Sequence, residues 1–579
     1  MELPSAYTVN SNSRPFHLDV FCLGRETTNP LLLLTLPLPT NHYLLLLWLI
    51  LLSEMRITSL TCTALAFVAN VVAQSSADDN TTQPVSFFYT RPLSQAPFLN
   101  VTIQADFTPG YVFMSPYKSI KPAPYIYDKF GNLVWDGYGV TGSANAHNFR
   151  PCQYNGAPHL CFNQVNQQNG YGIGQSMIVD QNYKVVATVQ TGGNVEPVDM
   201  HEFQLLNNGE TAIVSSYQIV PFDLSYFNIT TGLGWLSEGV FQEVNVTTGD
   251  VLFEWFSTNH VDPSESQITP NSTDTGGDGF GPQTAFDYFH INSIDKSTVS
   301  GNYLVSARHT STLYYVNATD RDIIWKLSYQ GHSDFSCSNF NFSFQHDARL
   351  LAENDTTTVL SIFDNASNGF TTTTSQSSGK VIAIDHNSGV ATMLSNTTYP
   401  SDQGLLTTSQ GNTQSLSNGG FFHSWGSNPY VSEHSANGTA VFAAQFAAED
   451  SAQNYRAFSA DWESTPATTV PDVYAYAVNS SAPTRIYVSW NGCTTVSSWQ
   501  FYGGTSVGED FLVIGQTDKE GFETFWEADK FYQWVRVEAI DADGNALRNS
   551  SFTGTFVPSA ALMGACDDAG CAVASSYSS

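Results

Sequence analysis

Short apolar stretches separated by polar turns recur along the middle of the chain. In each unit, an apolar strand is followed by a turn that usually holds Asp or Asn with Gly, and then by a second apolar strand. The six units are IYDKFGNLVWDG from Ile126, IVDQNYKVVATV from Ile178, EVNVTTGDVLFEW from Glu243, YVNATDRDIIWKL from Tyr315, AIDHNSGVATML from Ala383 and EHSANGTAVFAAQF from Glu433. The pattern is typical of β-hairpins with turn residues at their tips.

A further strand with its own turn precedes several of these hairpins, as in LLNNGETAIVSS, TVSGNYLVSARH, DTTTVLSIFDN and LSNGGFFHSWGS. Two hairpins per repeat, recurring about every 50 to 70 residues, match the four strands of a propeller blade. The sequence therefore predicts an all-β protein with a six-bladed β-propeller over residues 85–480. A series of unrelated β-sandwich hairpins would give a similar pattern and is the alternative.

The pattern changes after Phe458. Residues 483–557 contain alternating strands separated by turns but lack the hairpin signature of the repeats, as in TRIYVSWNG, VSSWQFYGG, GFETFWEA and QWVRVEAIDADGNAL. We expect a small immunoglobulin-like β-sandwich domain over residues 481–558. The small-residue-rich segment 559–579 is interpreted as a flexible tail.

Two apolar segments lie near the N-terminus. Residues 31–52 are long enough to span a bilayer, although prolines and an Asn-His pair interrupt them. Met55 and Arg56 precede an apolar stretch that ends in Val-Val-Ala, which is the plan of a signal peptide. We interpret residues 1–54 as a spurious N-terminal extension and 55–74 as the signal peptide. A type II membrane anchor through 31–52 is the alternative.

Composition and charge favour export. Charged residues make up only 13% of the 579 residues, and 52 acidic against 21 basic side chains give a formal net charge of −31. A field of this sign repels polyanions, which argues against nucleic acid and anionic membranes as partners. Thirteen N-x-S/T sequons follow the signal peptide and none precedes it. The sequence therefore predicts a secreted, extracellular glycoprotein with no stable membrane association after cleavage.

Six of the eight cysteines lie beyond the predicted signal peptide. Two local pairs each flank a short turn and predict disulfides, namely Cys152 with Cys161 and Cys566 with Cys571. Cys337 and Cys493 remain as a pair by elimination only. The sequence has no C-x-x-C pair, and neither a metal nor a cofactor is expected.

Polar residues with catalytic side chains stand where strands begin or end. They are His201 in MHEFQLL, His290 and Asn292 in DYFHINSID, Arg308 and His309 in LVSARHTS, and His346 and Asp347 in FQHDARLL. Strand ends of a propeller line the mouth of its central channel. A closed ring of blades would therefore bring these residues together although they are far apart in sequence.

Several of these segments resemble the arylsulfotransferase family, in particular its fungal secreted branch. The resemblance is carried, in the family's order, by HEFQLLNNG, DYFHINSID, GNYLVSARH, FQHDARL with SIFDNA, and FFHSWGSNPYVSE. It covers about residues 85–480 and extends weakly to about 555. The resemblance implies transfer of a sulfuryl group from an aryl sulfate to a phenol without a nucleotide donor. The implied small-molecule partners are aryl sulfates and phenolic acceptors.

Carried over residue by residue, the family's transiently sulfurylated histidine falls on His346, and its sulfate-binding residues fall on His201, His290, Asn292 and Arg308. Those residue types suit the chemistry. A neutral imidazole is nucleophilic near neutral pH, and a guanidinium and an amide donate hydrogen bonds to the charged sulfuryl oxygens.

The remaining polar candidates have supporting roles in this interpretation. His309 and Asp347 are expected to orient their neighbours, and His423 in FFHSWGS is a weaker pocket candidate. Asp364 and Asn365 in SIFDNA are interpreted as a turn, with Asn365 at the head of a sequon. Tyr288, Phe289, Phe422 and Trp425 are either aromatic walls for an aryl ring or ordinary core packing.

Two other functions fit parts of the sequence. A non-catalytic propeller that binds an anionic, aromatic or glycan ligand would keep the same residues and show no turnover. A quinone-dependent dehydrogenase propeller is more distant, because the repeated Trp docking motifs of that class are not evident in this sequence.

Overall fold

The computed structural model describes residues 84–559 except 143, 272–275 and 509, together with the backbone of 566–567 and 570–571. The predicted extension, signal peptide and membrane anchor lie outside these residues, as does most of the predicted tail. In the described part, the protein is nearly all-β, which confirms the predicted fold class at this level. No helix among the described residues is long and apolar enough to cross a membrane.

Six sheets of four or five strands, antiparallel except for one added strand, follow one another between residues 100 and 460, and we number them 1 to 6 in chain order. Sheet 1 contains Tyr111–Met114, Tyr125–Asp128, Leu133–Asp136 and Phe458–Ala460. Sheet 2 contains Asn145–Tyr154, Ala157–Gln167, Gly172–Val179 and Val185–Val189. Sheet 3 contains Phe203–Leu206, Thr211–Phe222, Gly234–Asn245 and Val251–Phe256.

The next three sheets repeat this meander, in which each strand pairs with the one before it. Sheet 4 contains Ile291–Lys296, Tyr303–Ala307, Thr312–Val316 and Ile323–Ser328. Sheet 5 contains His346–Glu353, Thr357–Asp364, Ser378–Asp385 and Val390–Thr397, with Ser336–Ser338 added in parallel to the last. Sheet 6 contains Asn412–Ser415, Phe421–Ser424, Tyr430–His434, Ala440–Gln445 and Asn100–Gln104.

Sheets 1 and 6 each combine strands from both ends of this region. Phe458–Ala460 pairs with Tyr111–Met114 in sheet 1, and Asn100–Gln104 pairs with Ala440–Gln445 in sheet 6. Backbone hydrogen bonds therefore join the beginning and the end of the repeats.

Neighbouring sheets pack face to face through apolar side chains. One core cluster joins sheets 1 and 2, and others join 2 with 3, 3 with 4, 4 with 5, and 6 with 1. Sheets 5 and 6 meet through Phe363 and Trp425, whose ring centroids lie 5.5 Å apart. Because most sheets are covered on both faces, strands such as Tyr303–Ala307 are buried along their whole length.

Two more sheets lie in the C-terminal part and share one core. The first contains Asp472–Tyr476, Arg485–Ser489 and Glu523–Glu527, and the second contains Leu512–Asp518, Ser498–Gly504, Trp534–Ile540, Ala546–Asn549 and Thr553–Gly554. Ile486 and Val488 from the first sheet pack with Trp499 and Val537 from the second. A short strand pair, Cys566–Asp567 with Gly570–Cys571, follows.

Among the described residues, helices are few and short. These are the α-helix Tyr138–Thr141 and the 3₁₀ helices Asn207–Gly209, Ser225–Phe227, Ser257–Asn259, Pro263–Glu265 and Pro282–Thr284.

The predicted disulfide between Cys152 and Cys161 is confirmed and joins the first two strands of sheet 2. Cys337 and Cys493 are free thiols, so the pairing reached by elimination is not formed. They belong to different modules, because Cys337 lies in sheet 5 and Cys493 in the core of the C-terminal sheets. The side chains of Cys566 and Cys571 lie outside the described residues, and their disulfide stays a prediction.

Candidate active site

Four of the predicted site residues line one cavity of about 540 Å³, namely His201, His290, Arg308 and His346. His201 lies just before the first strand of sheet 3, His290 just before that of sheet 4, and His346 begins that of sheet 5. Arg308 follows the second strand of sheet 4, where its N–H donates to the carbonyl of His290 over 2.9 Å. The cavity is therefore lined by residues at the same end of sheets 3, 4 and 5.

The three imidazoles form a row. The ring centroids of His201 and His290 lie 4.9 Å apart, and those of His290 and His346 lie 6.4 Å apart. All three side chains are buried. One small ligand in the cavity can therefore contact more than one of them.

His201 and His290 are each paired with an aspartate. Nδ1 of His201 donates to Oδ2 of Asp199 over 2.5 Å, and Nδ1 of His290 donates to Oδ2 of Asp287 over the same distance. Backbone N–H groups of the two histidines also donate to these carboxylates. The pairing fixes each ring and leaves Nε2 as the nitrogen for a ligand or a proton.

Hydrogen bonds set the tautomer of His346. Its Nδ1 donates to Oδ1 of Asn365 over 2.7 Å, and its Nε2 accepts from the backbone N–H of Gln410 over 3.2 Å. The amide of Asn365 is itself oriented, because its Nδ2 donates to the carbonyls of Thr407 and Gln410. Nε2 of His346 therefore carries the lone pair, as a nucleophile requires.

Arg308 is held by two contacts beside this row. Its guanidinium donates to Nε2 of His309 over 2.7 Å and to the carbonyl of Thr408 over 3.1 Å. His309 in turn donates from Nδ1 to the carbonyl of Asp287. His309, which does not line the cavity, thus holds Arg308, which does.

The cavity is electrostatically unlike the rest of the chain. Lys118 and Arg308 are its charged lining residues, and no Asp or Glu is among the described residues that line it. Burial is the main cause that holds the pKa of His346 and of His290 well below the usual value, and the Arg308 charge lowers both further. Both imidazoles are therefore neutral near pH 7, and the cavity suits an anion.

Asp287, His290 and His309 offer atoms within 4.8 Å of one another, close enough to surround a metal ion. Those atoms are engaged in the hydrogen bonds described above, and a guanidinium contacts His309. A nearby positive charge disfavours a divalent cation. We interpret the group as a network that orients His290.

The other predicted site residues are not among the described residues that line the cavity. Asn292 is fully buried and donates from Nδ2 to the carbonyl of Gln345 over 2.8 Å. His423 lies in sheet 6, where its Nε2 is 2.8 Å from the hydroxyl of Thr397. Both are packed within or between sheets.

Asp347 belongs to a buried ionic network below the cavity residues. Its Oδ1 is 2.8 Å from Arg349 and 3.3 Å from Arg456, and both arginines also contact Glu202. Glu202 follows His201 in sequence, and Asp347 follows His346. The network thus ties together the strands that carry two of the cavity histidines.

The four aromatic residues considered as walls are fully buried core residues. Among the described residues, Tyr117 and Phe370 are instead the aromatic side chains at the cavity surface.

Sequence reasoning missed several residues of this site. Asp199 and Asp287 could have been found, because each precedes a candidate histidine by two or three positions. Asn365 was interpreted as part of a turn at the head of a sequon, but it is fully buried against His346. Gln410 lies in a loop with no sequence signal that we recognise.

A larger cavity of about 830 Å³ lies between sheet 1 and the C-terminal sheets. Its lining includes Asp128, Asp461 and Glu463, and none of the predicted site residues. Size alone therefore does not identify the site, and the histidine cavity is the better candidate on its chemistry.

Comparison with known proteins points to one family. A family model described as arylsulfotransferase (ASST) matches residues 153–447, slightly more than half of the chain. The matched range includes the four predicted site residues that line the cavity, namely His201, His290, Arg308 and His346. No curated protein matches the chain.

Two of the solved structures that are similar to this chain are distant in sequence. A protein of unknown function from Bacteroides caccae is 12% identical over 60% of this chain and 98% of that chain, with a TM-score of 0.35. The Cps50 (Swd1) β-propeller domain from Myceliophteria thermophila is 10% identical over 72% of this chain and 99% of that chain, with a TM-score of 0.30.

Proposed function

The chain belongs to the arylsulfotransferase family, and from that premise we propose that it moves a sulfuryl group from an aryl sulfate to a phenolic acceptor through a sulfohistidine at His346. No nucleotide donor takes part in this scheme.

The observation that carries the proposal is the cavity itself. In a chain of net charge −31, its described lining holds two cations, three histidines and no carboxylate. A sulfate ester is an anion that gains from fixed donors and from a lining without carboxylates. The carboxylates of Asp199 and Asp287 lie behind this lining, each paired with an imidazole.

In the first step, Nε2 of His346 releases its hydrogen bond from the backbone N–H of Gln410, and the freed lone pair attacks sulfur. The bond between sulfur and the aryl oxygen breaks, and its electron pair leaves on that oxygen as a phenolate, which is protonated by solvent according to its own basicity. Positive charge develops on the His346 ring, where Oδ1 of Asn365 stabilises Nδ1–H. Arg308 stabilises the charge on the sulfuryl oxygens.

In the second step, the oxygen of the acceptor attacks the same sulfur. The bond between sulfur and Nε2 breaks, and its electron pair returns to His346. The acceptor proton passes to Nε2 of His290, which is free to accept it because burial lowers the pKa of this ring and keeps it neutral, while its Nδ1 is paired with Asp287.

The proposal includes the architecture around the site. We interpret the six sheets as the blades of a closed propeller over residues 85–480, supported by the contact of each sheet with the next and by the strand pairs that join both ends. The two C-terminal sheets with one core support a β-sandwich over 481–558. Secretion after cleavage of 55–74, with glycosylation of exposed sequons, completes the proposal.

Turnover of 4-nitrophenyl sulfate tests the function. We expect release of nitrophenol that accelerates when phenol is added, with phenyl sulfate as a product. His346→Ala should abolish both, whereas His332→Ala, which removes an exposed histidine, should not. Saturable binding of the ester without turnover by the wild-type protein would instead identify a binding module.

A further inference from the structure

The first of the two C-terminal sheets carries aromatic side chains on its outer face. Successive residues of a strand point to opposite faces of the sheet. Ile486 and Val488 pack into the core that the two sheets share, so Tyr487 between them lies on the opposite face. On the neighbouring strand, Trp526 packs against the same core, whereas Phe525 is 47% exposed. The outer face therefore presents rings where a solvated sheet usually presents polar residues.

These rings belong to one continuous strip. Tyr487 and Phe525 are directly opposite each other in the strand pairing, and their ring centroids lie 5.0 Å apart. The ring of Tyr89 lies 4.3 Å from that of Tyr487, and the ring of Phe87 lies 5.4 Å from that of Tyr89. Phe87 is 52% exposed, so both ends of the strip are open to solvent. We call Phe87, Tyr89, Tyr487 and Phe525 the aromatic strip.

A backbone contact fixes the N-terminal half of the strip to the sheet. The N–H of Tyr89 donates to Oε2 of Glu523 over 3.1 Å, and Glu523 lies on the same strand as Phe525. Tyr89 also stacks on Tyr474 of the same sheet, with ring centroids 5.6 Å apart and ring planes within 10°. The four rings are therefore held in place before a ligand binds.

Charged side chains flank the aromatic strip. On one side, Nε of Arg485 lies 2.8 Å from Oε2 of Glu527. On the other side are the carboxylate of Glu523 and an ion pair in which Nη1 of Arg91 lies 3.2 Å from Oδ2 of Asp472. A wholly apolar partner would remove these groups from water at a high cost, whereas hydroxyl groups could form hydrogen bonds with them.

The face continues into a cavity of about 520 Å³ on the side of the Arg91–Asp472 pair. Both residues of the pair line this cavity, and its lining also includes Thr468, Thr469 and Asn491. Hydroxyl and amide groups both donate to and accept from the hydroxyl groups of a ligand. The surface thus combines aromatic rings with groups that bind hydroxyls.

A neutral β-linked glucan has both of the properties that this surface requires. Its pyranose rings carry their hydroxyl groups in equatorial positions, so each ring has C–H faces that pack on aromatic rings and polar edges that form hydrogen bonds. The β linkages keep the chain extended, which allows successive sugars to contact successive rings. A net charge of −31 repels polyanions and argues against an acidic polysaccharide.

We propose that the aromatic strip binds a chain of neutral β-linked glucan. The four rings of the strip are not among the residues that line the histidine cavity. This binding site is therefore separate from the site of the proposed sulfuryl transfer, and neither depends on the other.

Calorimetric titration of the whole protein with cellohexaose tests the proposal. We expect saturable binding with the same Kd in the wild type and in His346→Ala, because the two sites are separate. Maltohexaose has the same sugars in a curved, axially linked chain and should bind more weakly. No binding of cellohexaose by the wild type would overturn the proposal, and equal Kd values for the two oligosaccharides would overturn the β-linked class.

Phe525→Thr removes an exposed ring of the strip and introduces a residue that is also favoured in strands. The Kd for cellohexaose should rise about three- to tenfold, as expected for the loss of one aromatic contact. Phe280→Thr makes the same change at a phenylalanine that is 61% exposed next to sheet 3, and it should keep the wild-type Kd. An unchanged Kd in Phe525→Thr would contradict the assignment to this strip.

Two other occupants of the strip would give different results. A second copy of the chain would appear as a wild-type dimer in sedimentation, would dissociate in Phe525→Thr and would leave cellohexaose unbound. An acidic glycan as the true ligand would make sulfated cellohexaose bind more tightly than cellohexaose itself. Either result would overturn the proposal.

Discussion

Nδ1 of His346 lies 2.7 Å from Oδ1 of Asn365, and the two amide hydrogens of Asn365 are directed to backbone carbonyls. The asparagine therefore cannot rotate its amide without losing three hydrogen bonds. This relationship gives His346 a fixed tautomer before any substrate binds, and it assigns a positioning role to a residue that the sequence marks only as a sequon.

Asn365→Ala should lower kcat about 10- to 100-fold, the usual effect of removing a partner that orients a reacting histidine. KM for the aryl sulfate should change less, because Asn365 does not line the cavity among the described residues. Steady-state kinetics on folded protein measures both values. Asn437→Ala, at an exposed sequon, is the control, and equal kcat values in the two variants would contradict the role.

Arg308→Met tests the anion site and the pH dependence together. Loss of a charge-assisted hydrogen bond should raise KM for the aryl sulfate about tenfold or more. The Arg308 charge lowers the pKa of His346, although burial is the larger cause, so the pKa should rise in the variant. Activity requires neutral His346, and its loss on acidification should therefore begin at higher pH than in the wild type.

Lys118→Met is the matched comparison, because Lys118 lines the same cavity but is exposed. Its effect on KM should be smaller and should shrink as salt is added. Equal, salt-insensitive effects at both positions would contradict the assignment of the sulfate to Arg308.

The sequence carried the fold class and the family, but only part of the site. Turn residues at regular spacing and a near-absence of long polar helices are local signals, so the all-β class was predictable. Part of the site was also predictable, because strand ends can be recognised in the sequence and four cavity residues lie next to them, namely His201, His290, Arg308 and His346. The state of Cys337 and Cys493 was not, because it depends on which sheets the two thiols enter.

The sequence did not predict which polar side chains face the cavity and which point away from it. Asp347 follows His346 directly, yet it contacts the arginines of the ionic network. Its φ is 52°, and the strand pairing is irregular between His346 and Arg349, so the local backbone departs from a regular strand. Asn365 and Gln410 meet His346 through loops whose paths depend on the packing of sheets 5 and 6. A sequon at Asn365 follows from local composition, but full burial overrides it.

Acid should destabilise the protein, and His147 should contribute measurably. His147 is fully buried, and that burial lowers its pKa to about 3. Below about pH 6.5, the unfolded chain binds a proton that the folded chain does not, so stability is complete above that pH and falls as the pH decreases towards 3. Between pH 6.5 and 5 the loss due to His147 is about 2 kcal/mol.

His147→Phe keeps a ring between Tyr117 and Tyr455 and removes the titration. Urea unfolding at the two pH values should show a decrease in unfolding free energy that is about 2 kcal/mol smaller in the variant than in the wild type. The other buried histidines titrate in both proteins and cancel in this comparison. An identical decrease would show that His147 is not held neutral by burial.

The network around Glu202 should be important for stability. Burial alone would raise the pKa of Glu202, but Arg349, Arg456 and Arg150 lower it to about 2. Glu202→Gln removes one of the two carboxylates of the network, so that Asp347 alone faces the buried guanidinium groups, and should lower the unfolding free energy by about 3 to 5 kcal/mol.

The ion pair between Arg485 and Glu527, in which the glutamate side chain is 44% exposed, is the control. Glu527→Gln should change the unfolding free energy by at most about 1 kcal/mol, because solvent screens the carboxylate of this pair. Denaturant titration of the three proteins measures the difference. A small effect at Glu202 would contradict the view that the network fixes the strands beneath the cavity.

The covalent intermediate is tested most directly by the mass of the peptide that contains His346 after brief exposure of the protein to 4-nitrophenyl sulfate without acceptor. The account predicts a gain of one sulfuryl group on His346, loss of that gain when phenol is added, and no gain in His346→Ala. Turnover of the ester by wild-type protein with His346 unmodified throughout would contradict it.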